Sequence, residues 1–488
     1  MTLGAKKHFT RKKGDTSVKE VAHTRLKVPA RATVYYAISL GISKGISVIC
    51  TPIFTRLMTE YEFGSYSLYV SWLCILSVLA TLELGGNVIN KALIDSPNEK
   101  SAVTISATAL TLGSALSFFV ITLLLCPTFT VVTGLERPIL ILMCGQMLFD
   151  GVTGVILSCE RFSYKYKMVC ACNLFVSVFS PVLGIALIGF TSSADKGRIA
   201  GTLLASGAVA AALAIKAAVS AIRDGVGVHS MLRHCKRLIK PAVHLLPYYL
   251  CRTLGANADK LLITKHFGKE YVAKYAVAAS LGLAPSFLIS ALGFAAVPWI
   301  MRRLAKGEAH RVKETVSGLC ALLFSAVAVL ALLAPELMSA LAPSGYGEAI
   351  GAVYPLGLSL IPFFLLLAVN GAVAYEGRTA LTSVTAVIGA AVGFFAQVLL
   401  IRAFGYTTVS FGALVSQSVT LSLAMALSPL ARKTVPILRT VGLGTLCCVL
   451  SLAAYLLKDQ LPLRILLLSI PFITAARAIP TAKALITE

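Results

Sequence analysis

The chain has 488 residues, of which 57% are hydrophobic and only 13% charged, with a mean hydropathy of +0.83 and a formal charge of +23. Soluble chains carry roughly a quarter charged residues, so this composition excludes an ordinary soluble enzyme. It turns the basic excess from a nucleic-acid signature into an orientation signal for membrane loops.

Residues 1–32 form a basic tail with nine Lys and Arg against Asp15 and Glu20, read as disordered and cytoplasmic, with no short apolar core and cleavage site of a signal peptide. Apolar stretches long enough to cross about 30 Å of hydrocarbon then recur near 33–55, 66–90, 103–126, 138–158, 168–190, 199–222, 242–264, 275–301, 315–334, 352–374, 380–401, 408–430, 436–457 and 462–478. The expected fold is therefore an all-α polytopic membrane protein of about fourteen spans. The last span, interrupted by Arg464 and Pro471, is the weakest, so twelve or thirteen are also open. Lys and Arg outside the spans favour one side by about three to one, which predicts cytoplasmic N- and C-termini in a multi-pass protein of the cytoplasmic membrane.

Connecting loops are short, and no G-x-x-x-x-G-K-[ST], H-E-x-x-H or G-x-S-x-G motif is present. The twelve cysteines are scattered through apolar runs with no C-x-x-C, and read as packing residues. Neither an ATPase nor an enzyme is expected, and no metal or bound cofactor; transport is the default.

Two segments resemble each other. Arg56-Leu-Met-Thr-Glu60-Tyr61-Glu-Phe-Gly64-Ser-Tyr66 follows the first span, and His266-Phe-Gly-Lys-Glu270-Tyr271-Val-Ala-Lys-Tyr275 follows the seventh, so that Glu-Tyr recurs after 210 residues. Six intervening spans leave both copies in one orientation, a parallel repeat. The expected organisation is a tail (1–32), an N-lobe of six spans (33–222), a basic cytoplasmic linker (223–241), a C-lobe of six spans (242–430) and two appended spans with the C-terminus (431–488). Arg56, Glu60, Tyr61, Gly64 and Tyr66 form the candidate gate motif.

The stretch Ser39 to Leu57 with Pro52 and Arg56, then Glu60 to Tyr66 and Leu84-Gly85-Gly-Asn87, resembles the start of the polysaccharide-unit flippases. These are the lipid-linked oligosaccharide exporters of the multidrug/oligosaccharidyl-lipid/polysaccharide superfamily. Leu246-Pro247, Asn257-Ala-Asp259-Lys260, Tyr275-Ala-Val-Ala and Val297-Pro298 agree with the same resemblance. It implies a MATE-like fold of two six-helix lobes around a cavity, alternating access, and a polyprenyl-pyrophosphate-linked glycan as substrate. The remaining expected partners are membrane lipids and other polysaccharide-assembly proteins, with no nucleic acid.

Ionisable groups inside a membrane are costly and mark function unless they snorkel or pair. Lys44 lies mid-span on a Gly- and Ser-rich stretch; with Arg252 and Lys260 it forms the candidate cationic headgroup site. Glu83, Asn87 and Asn90 are spaced i, i+4, i+7, one helical face, and Gln146, Asp150 and Thr153 make a similar stripe in which Asp150 reads as near the inner end. In the seventh span Arg252 and Asp259 are nearly eclipsed, with Asn257 and Lys260 on an adjacent face. Glu83, Asn87, Asp150 and Asp259 are the candidates for proton or sodium coupling and its polar lining. Lys216 and Lys274, near span ends, are expected to snorkel. The alternatives are a multidrug extruder of the same superfamily, a lipid II-type flippase and, opposed by the lack of a long outer loop, a membrane-embedded glycan polymerase.

Overall fold

The computed structural model describes residues 15–163, 165–457 and 460–482; for residues 15–34, 37, 87, 291, 293–295, 297–298, 379 and 481–482 it describes the backbone alone. Every regular element among them is helical. Helix α1 (Asp15–Leu57) is continuous over 43 residues and so begins inside the tail expected to be disordered. Val18, Ala22 and Leu26 recur every fourth residue there, a helical period that accounts for the difference. Residues 1–14 lie outside the described residues.

Helix α2 (Glu60–Thr81) opens on a capping box in which Thr59 and Glu62 satisfy each other's backbone N–H groups. It ends where Leu82 and Glu83 take positive φ of 56° and 45°, an uncommon conformation for residues with side chains. The chain restarts as α3 (Asn87–Asp95). At the break, a Cβ on Gly85 would come within 2.9 Å of the backbone of Gly154, so the absence of a side chain is what lets the kink lie against the neighbouring helix.

The N-lobe continues with α4 (Lys100–Leu124), α5 (Cys126–Thr133), α6 (Arg137–Phe162), α7 (Tyr166–Ile188) and α8 (Ala194–Arg223). The linker expected as a loop is helical from Val228, because α9 (Val228–Phe267) runs unbroken through Pro241 and Pro247. Then come α10 (Lys269–Gly282) and α11 (Ser286–Ala305), separated by Leu283 to Pro285, and α12 (Ala309–Leu332) and α13 (Ala334–Leu341). A 3₁₀ segment leads into α14 (Val353–Tyr375), followed by α15 (Thr379–Phe404), α16 (Phe411–Leu427), α17 (Pro429–Thr434), α18 (Ile437–Leu456), α19 (Leu461–Leu467) and α20 (Ser469–Ala482).

Among the described residues, twelve helical segments are long and apolar enough to cross a membrane, including the last one, Leu461–Pro480. Of the fourteen expected spans, the seventh falls short of this standard, and the eighth includes side chains that lie outside the described ones. In the seventh, Arg252, Asp259, Lys260 and the basic start of α9 dilute the apolar character; the eighth falls on α10 and α11. The molecule is thus a multi-pass membrane protein of two helical lobes, though apolar length alone does not give the count of fourteen.

Within the first lobe α7 and α6 pack on α8, and α4 on α6; within the second α15 and α14 pack on α16, and α11 on α14. Helices α18 and α20 lie against α12. The lobes meet where α2 packs on α9 and α10, α1 on α11 and α4 on α9. The second helix of each lobe is therefore both broken and seated at the seam.

Candidate functional site

At one end of the seam the two Glu-Tyr turns face each other. Gly64 of α2 backs directly onto the main chain of Lys269 at the start of α10, with no room for a side chain. Tyr61 receives a hydrogen bond from Lys269 Nζ at 3.2 Å, and that ammonium lies 4.8 Å from its ring. Lys274 reaches both Glu348, at 2.8 Å, and Glu60 of the other lobe, at 3.8 Å. Thr55 donates to the carbonyl of Leu341 at 2.8 Å, and Arg56 to that of Ala340 at 3.4 Å. Tyr66 instead stays within the first lobe, stacked 3.7 Å from the guanidinium carbon of Arg198, which also covers Phe54 at 3.9 Å. Glu62 completes this end by accepting from the backbone N–H of Ala194, at the positive start of α8.

Farther along the seam the charges change character. Lys44 and Arg252 are exposed, and among the described residues neither has a hydrogen-bond or ion-pair partner. Ser177 donates to Ser43 at 2.9 Å and fixes α1 against α7. Lys44, one residue on, is turned about 100° away, on a face where Gly41 and Gly45 have open space in front of them. Of the other seventh-span candidates, Lys260 lies within electrostatic reach of Cys74 of α2, across the seam. Asp259 accepts from the Lys260 backbone N–H at 2.8 Å and lies beside the buried Tyr275 hydroxyl of α10. Asn257 gives its amide to the Thr253 carbonyl of its own helix. Asp259 and Asn257 are thus engaged inside the second lobe.

A third cluster lines a cavity of about 400 Å³ in the first lobe, formed by Glu83 at the break after α2 and by Asp150 and Arg161 of α6, with Ser77, Thr81 and Ser158. Asp150 stands midway along α6 and not near its end. Gln146 donates to both its carboxylate oxygens, at 2.9 and 3.0 Å, and in turn accepts from Ser206. The hydroxyl of Thr153, the third member of that stripe, is buried without a hydrogen-bond partner. The Glu83, Asn87, Asn90 stripe is corrected: the break at 82–86 puts Glu83 on a different element from the other two, Asn90 is exposed, and the side chains of Asn87, Val297 and Pro298 lie outside the described ones. Arg161, counted from sequence among loop residues, belongs to the cavity. Its signal was available, since Asp150, Gly154, Ser158 and Arg161 follow i, i+4, i+8, i+11 spacing.

The two lysines expected to snorkel are paired instead. Lys274 bridges the lobes as described, and Lys216 meets the buried Glu160 at 3.3 Å, together with Lys100 at 3.6 Å and Lys165 at 3.3 Å. Arg464, 2% exposed, is held by Glu336 through two nitrogens and donates to the Leu332 carbonyl at 2.8 Å. Sequence reasoning missed these partners because they lie far away in the chain. Among the described residues no group of His, Cys, Asp and Glu is placed to hold a metal ion.

The model of the polysaccharide biosynthesis protein family matches residues 30–304. No curated protein sequence matches the chain. Among solved structures, the lipid II flippase MurJ in an inward closed conformation is similar over 93% of this chain and 100% of its own, at 11% identity and a TM-score of 0.68. An inward-facing multidrug resistance MATE family transporter of the MOP superfamily aligns over 85% of this chain and 99% of its own, at 13% identity and a TM-score of 0.61. A MOP superfamily transporter from Pyrococcus furiosus, described as having a binding pocket of reversed polarity, aligns over 85% and 96%, at 14% identity and 0.58. These likenesses show the fold.

Proposed function

We propose that this chain, which belongs to the polysaccharide biosynthesis protein family of MOP-type flippases, carries a polyprenyl-pyrophosphate-linked oligosaccharide across the cytoplasmic membrane by alternating access. The observation that carries the reading is the pair of unpartnered cations, Lys44 and Arg252, on helices of the seam. A cation held within the membrane without an acid is costly, and an arriving anionic headgroup lowers that cost. At an effective dielectric of about 20, one charge pair at 4 Å contributes roughly 4 kcal/mol, against about 1 in water. Carrying a pyrophosphate is within reach of two such groups, while the polyprenyl chain stays in lipid.

The excess of Lys and Arg in the loops at the end opposite the Glu-Tyr turns supports a cytoplasmic position for that end. In this arrangement the molecule is shut toward the outside by the Gly64–Lys269 contact, and the substrate is received from the inner leaflet. Glu83 and Asp150, which share one cavity, are the proposed groups for proton or sodium coupling; Asp259, which accepts from the Lys260 backbone N–H, is set aside. No chemical transformation is assigned to the protein.

The test is translocation of a fluorescent polyprenyl-pyrophosphate oligosaccharide by the purified protein in liposomes. Lys44→Gln and Arg252→Gln each lower the rate, and wild-type transport by the double variant sinks the reading. A lipid II-type substrate presents the same pyrophosphate to the same cations and is the second reading. Deletion of the gene separates the two by which lipid-linked glycan accumulates on the cytoplasmic leaflet; drug sensitivity without such accumulation points to a multidrug extruder instead.

A further inference from the structure

A cleft of about 620 Å³ lies between α3 and the first turns of α9, apart from Lys44, Arg252 and the Glu83–Asp150 cavity. Lys91 of α3 and Lys236, Arg237 and Lys240 of α9 line it, with one carboxylate, Asp95. Elsewhere at this end of the molecule cations are gathered by acids: Glu160 takes three lysines, and Glu308 takes Arg303 and Arg311. Among the described residues the four cations of the cleft have no carboxylate partner. The cleft's histidines are already engaged, His234 with Glu99 and His244 with the Lys240 carbonyl, each at 2.7 Å.

Exposed aliphatic side chains border the cleft. Leu232, Ile239 and Val243 recur along another face of α9 at i, i+7, i+11 and are exposed, as is Ile94 of α3 at 66%. Unmatched cations beside exposed aliphatic side chains, on a helix continuous with a spanning one, suit a group that is anionic at its head and apolar behind it.

We propose that this cleft docks the phosphate headgroup of a membrane lipid before it reaches the seam, with its chain against Ile94, Leu232, Ile239 and Val243. Four cations against one carboxylate fit a diphosphate better than the single charge of a phosphodiester, so the occupant assigned is the polyprenyl pyrophosphate carrier. That assignment rests on the function proposed above; the phosphate chemistry of the cleft does not.

The experiment uses the full chain in phosphatidylcholine nanodiscs with a photoreactive polyprenyl pyrophosphate. Crosslinks are expected on peptides from α3 and from residues 232–243. Lys236→Gln/Arg237→Gln/Lys240→Gln lowers affinity on the order of a hundredfold, from about a factor of five per cation near a charged lipid surface. Lys236→Arg/Lys240→Arg retains affinity, which separates lost charge from lost folding. Crosslinks confined to α1 and the middle of α9, or unchanged affinity in the triple Gln variant, overturn the proposal. Equal competition by phosphatidylglycerol overturns the diphosphate assignment and leaves a bulk-phospholipid site. Crosslinking at the cleft by a protein that moves no lipid-linked glycan overturns the proposed function and upholds the docking site.

Discussion

The Glu-Tyr end of the seam, carried by α2 and α10, and its middle, with Lys44 on α1 and Arg252 on α9, treat charge in opposite ways. At the Glu-Tyr end Lys274 meets Glu348 and Glu60, Lys269 meets Tyr61, and Gly64 lets two main chains touch. In the middle, Lys44 and Arg252 have no partner among the described residues. A carrier needs both: one region whose contacts can be made and broken as a unit, and one whose charges are left for the cargo.

The largest effect that sharpens this contrast concerns a charge that serves only the fold. Glu336→Ala removes a two-nitrogen carboxylate contact from the buried Arg464 and is expected to cost on the order of 3 kcal/mol, read as a lowered thermal midpoint in detergent. Protonation acts in the same direction. The two hydrogen bonds from Arg464 hold the Glu336 carboxyl below its ordinary value of 4.5, so this contribution is fully present above about 4.5 and fades as the pH falls through the lower native value. A midpoint that stays flat down that range removes the claim.

Next comes the close approach at the Glu-Tyr end. Gly64→Ala inserts a methyl group against the Lys269 backbone and should disfavour the joined state by about 1–3 kcal/mol, or roughly 5- to 150-fold. Spin labels across α2 and α10 would report the separation; an unchanged distance distribution breaks the comparison on that side. Lys44→Gln and Arg252→Gln should each slow transport about tenfold, some 1.4 kcal/mol, with no loss of thermal stability. A destabilised protein would show that they are structural after all. The smallest effect is expected at Lys274→Gln, about 1 kcal/mol or less because Glu348 and Glu60 are partly exposed, seen as a modest shift in the same spin-label distances.

Much of the fold was legible because hydropathy over some twenty residues reports a span directly. Leu461–Pro480 passes despite Arg464, whereas the seventh expected span does not. The interruption of the second span was present in Gly85-Gly86, yet the polar spacing of Glu83, Asn87 and Asn90 suggested an unbroken helix. Helical periodicity describes a face only while the helix lasts, and two residues with positive φ end it. Of the candidate site, the place of Lys44 and Arg252 on long helices could be read from the chain. Whether a cation is free could not: Lys274 finds Glu348 74 residues away and Arg464 finds Glu336 at a separation of 128.

The sequence by itself determined that this is a basic, multi-pass helical protein with a repeated Glu-Tyr turn, since apolar length, charge asymmetry and local spacing are properties of neighbouring residues. Only the tertiary structure decided that the two turns meet, that Glu83 and Asp150 share a cavity, and which lysines are spent on partners. Those outcomes depend on the packing of helices remote in the chain, and pairing over such separations leaves no periodic trace in it.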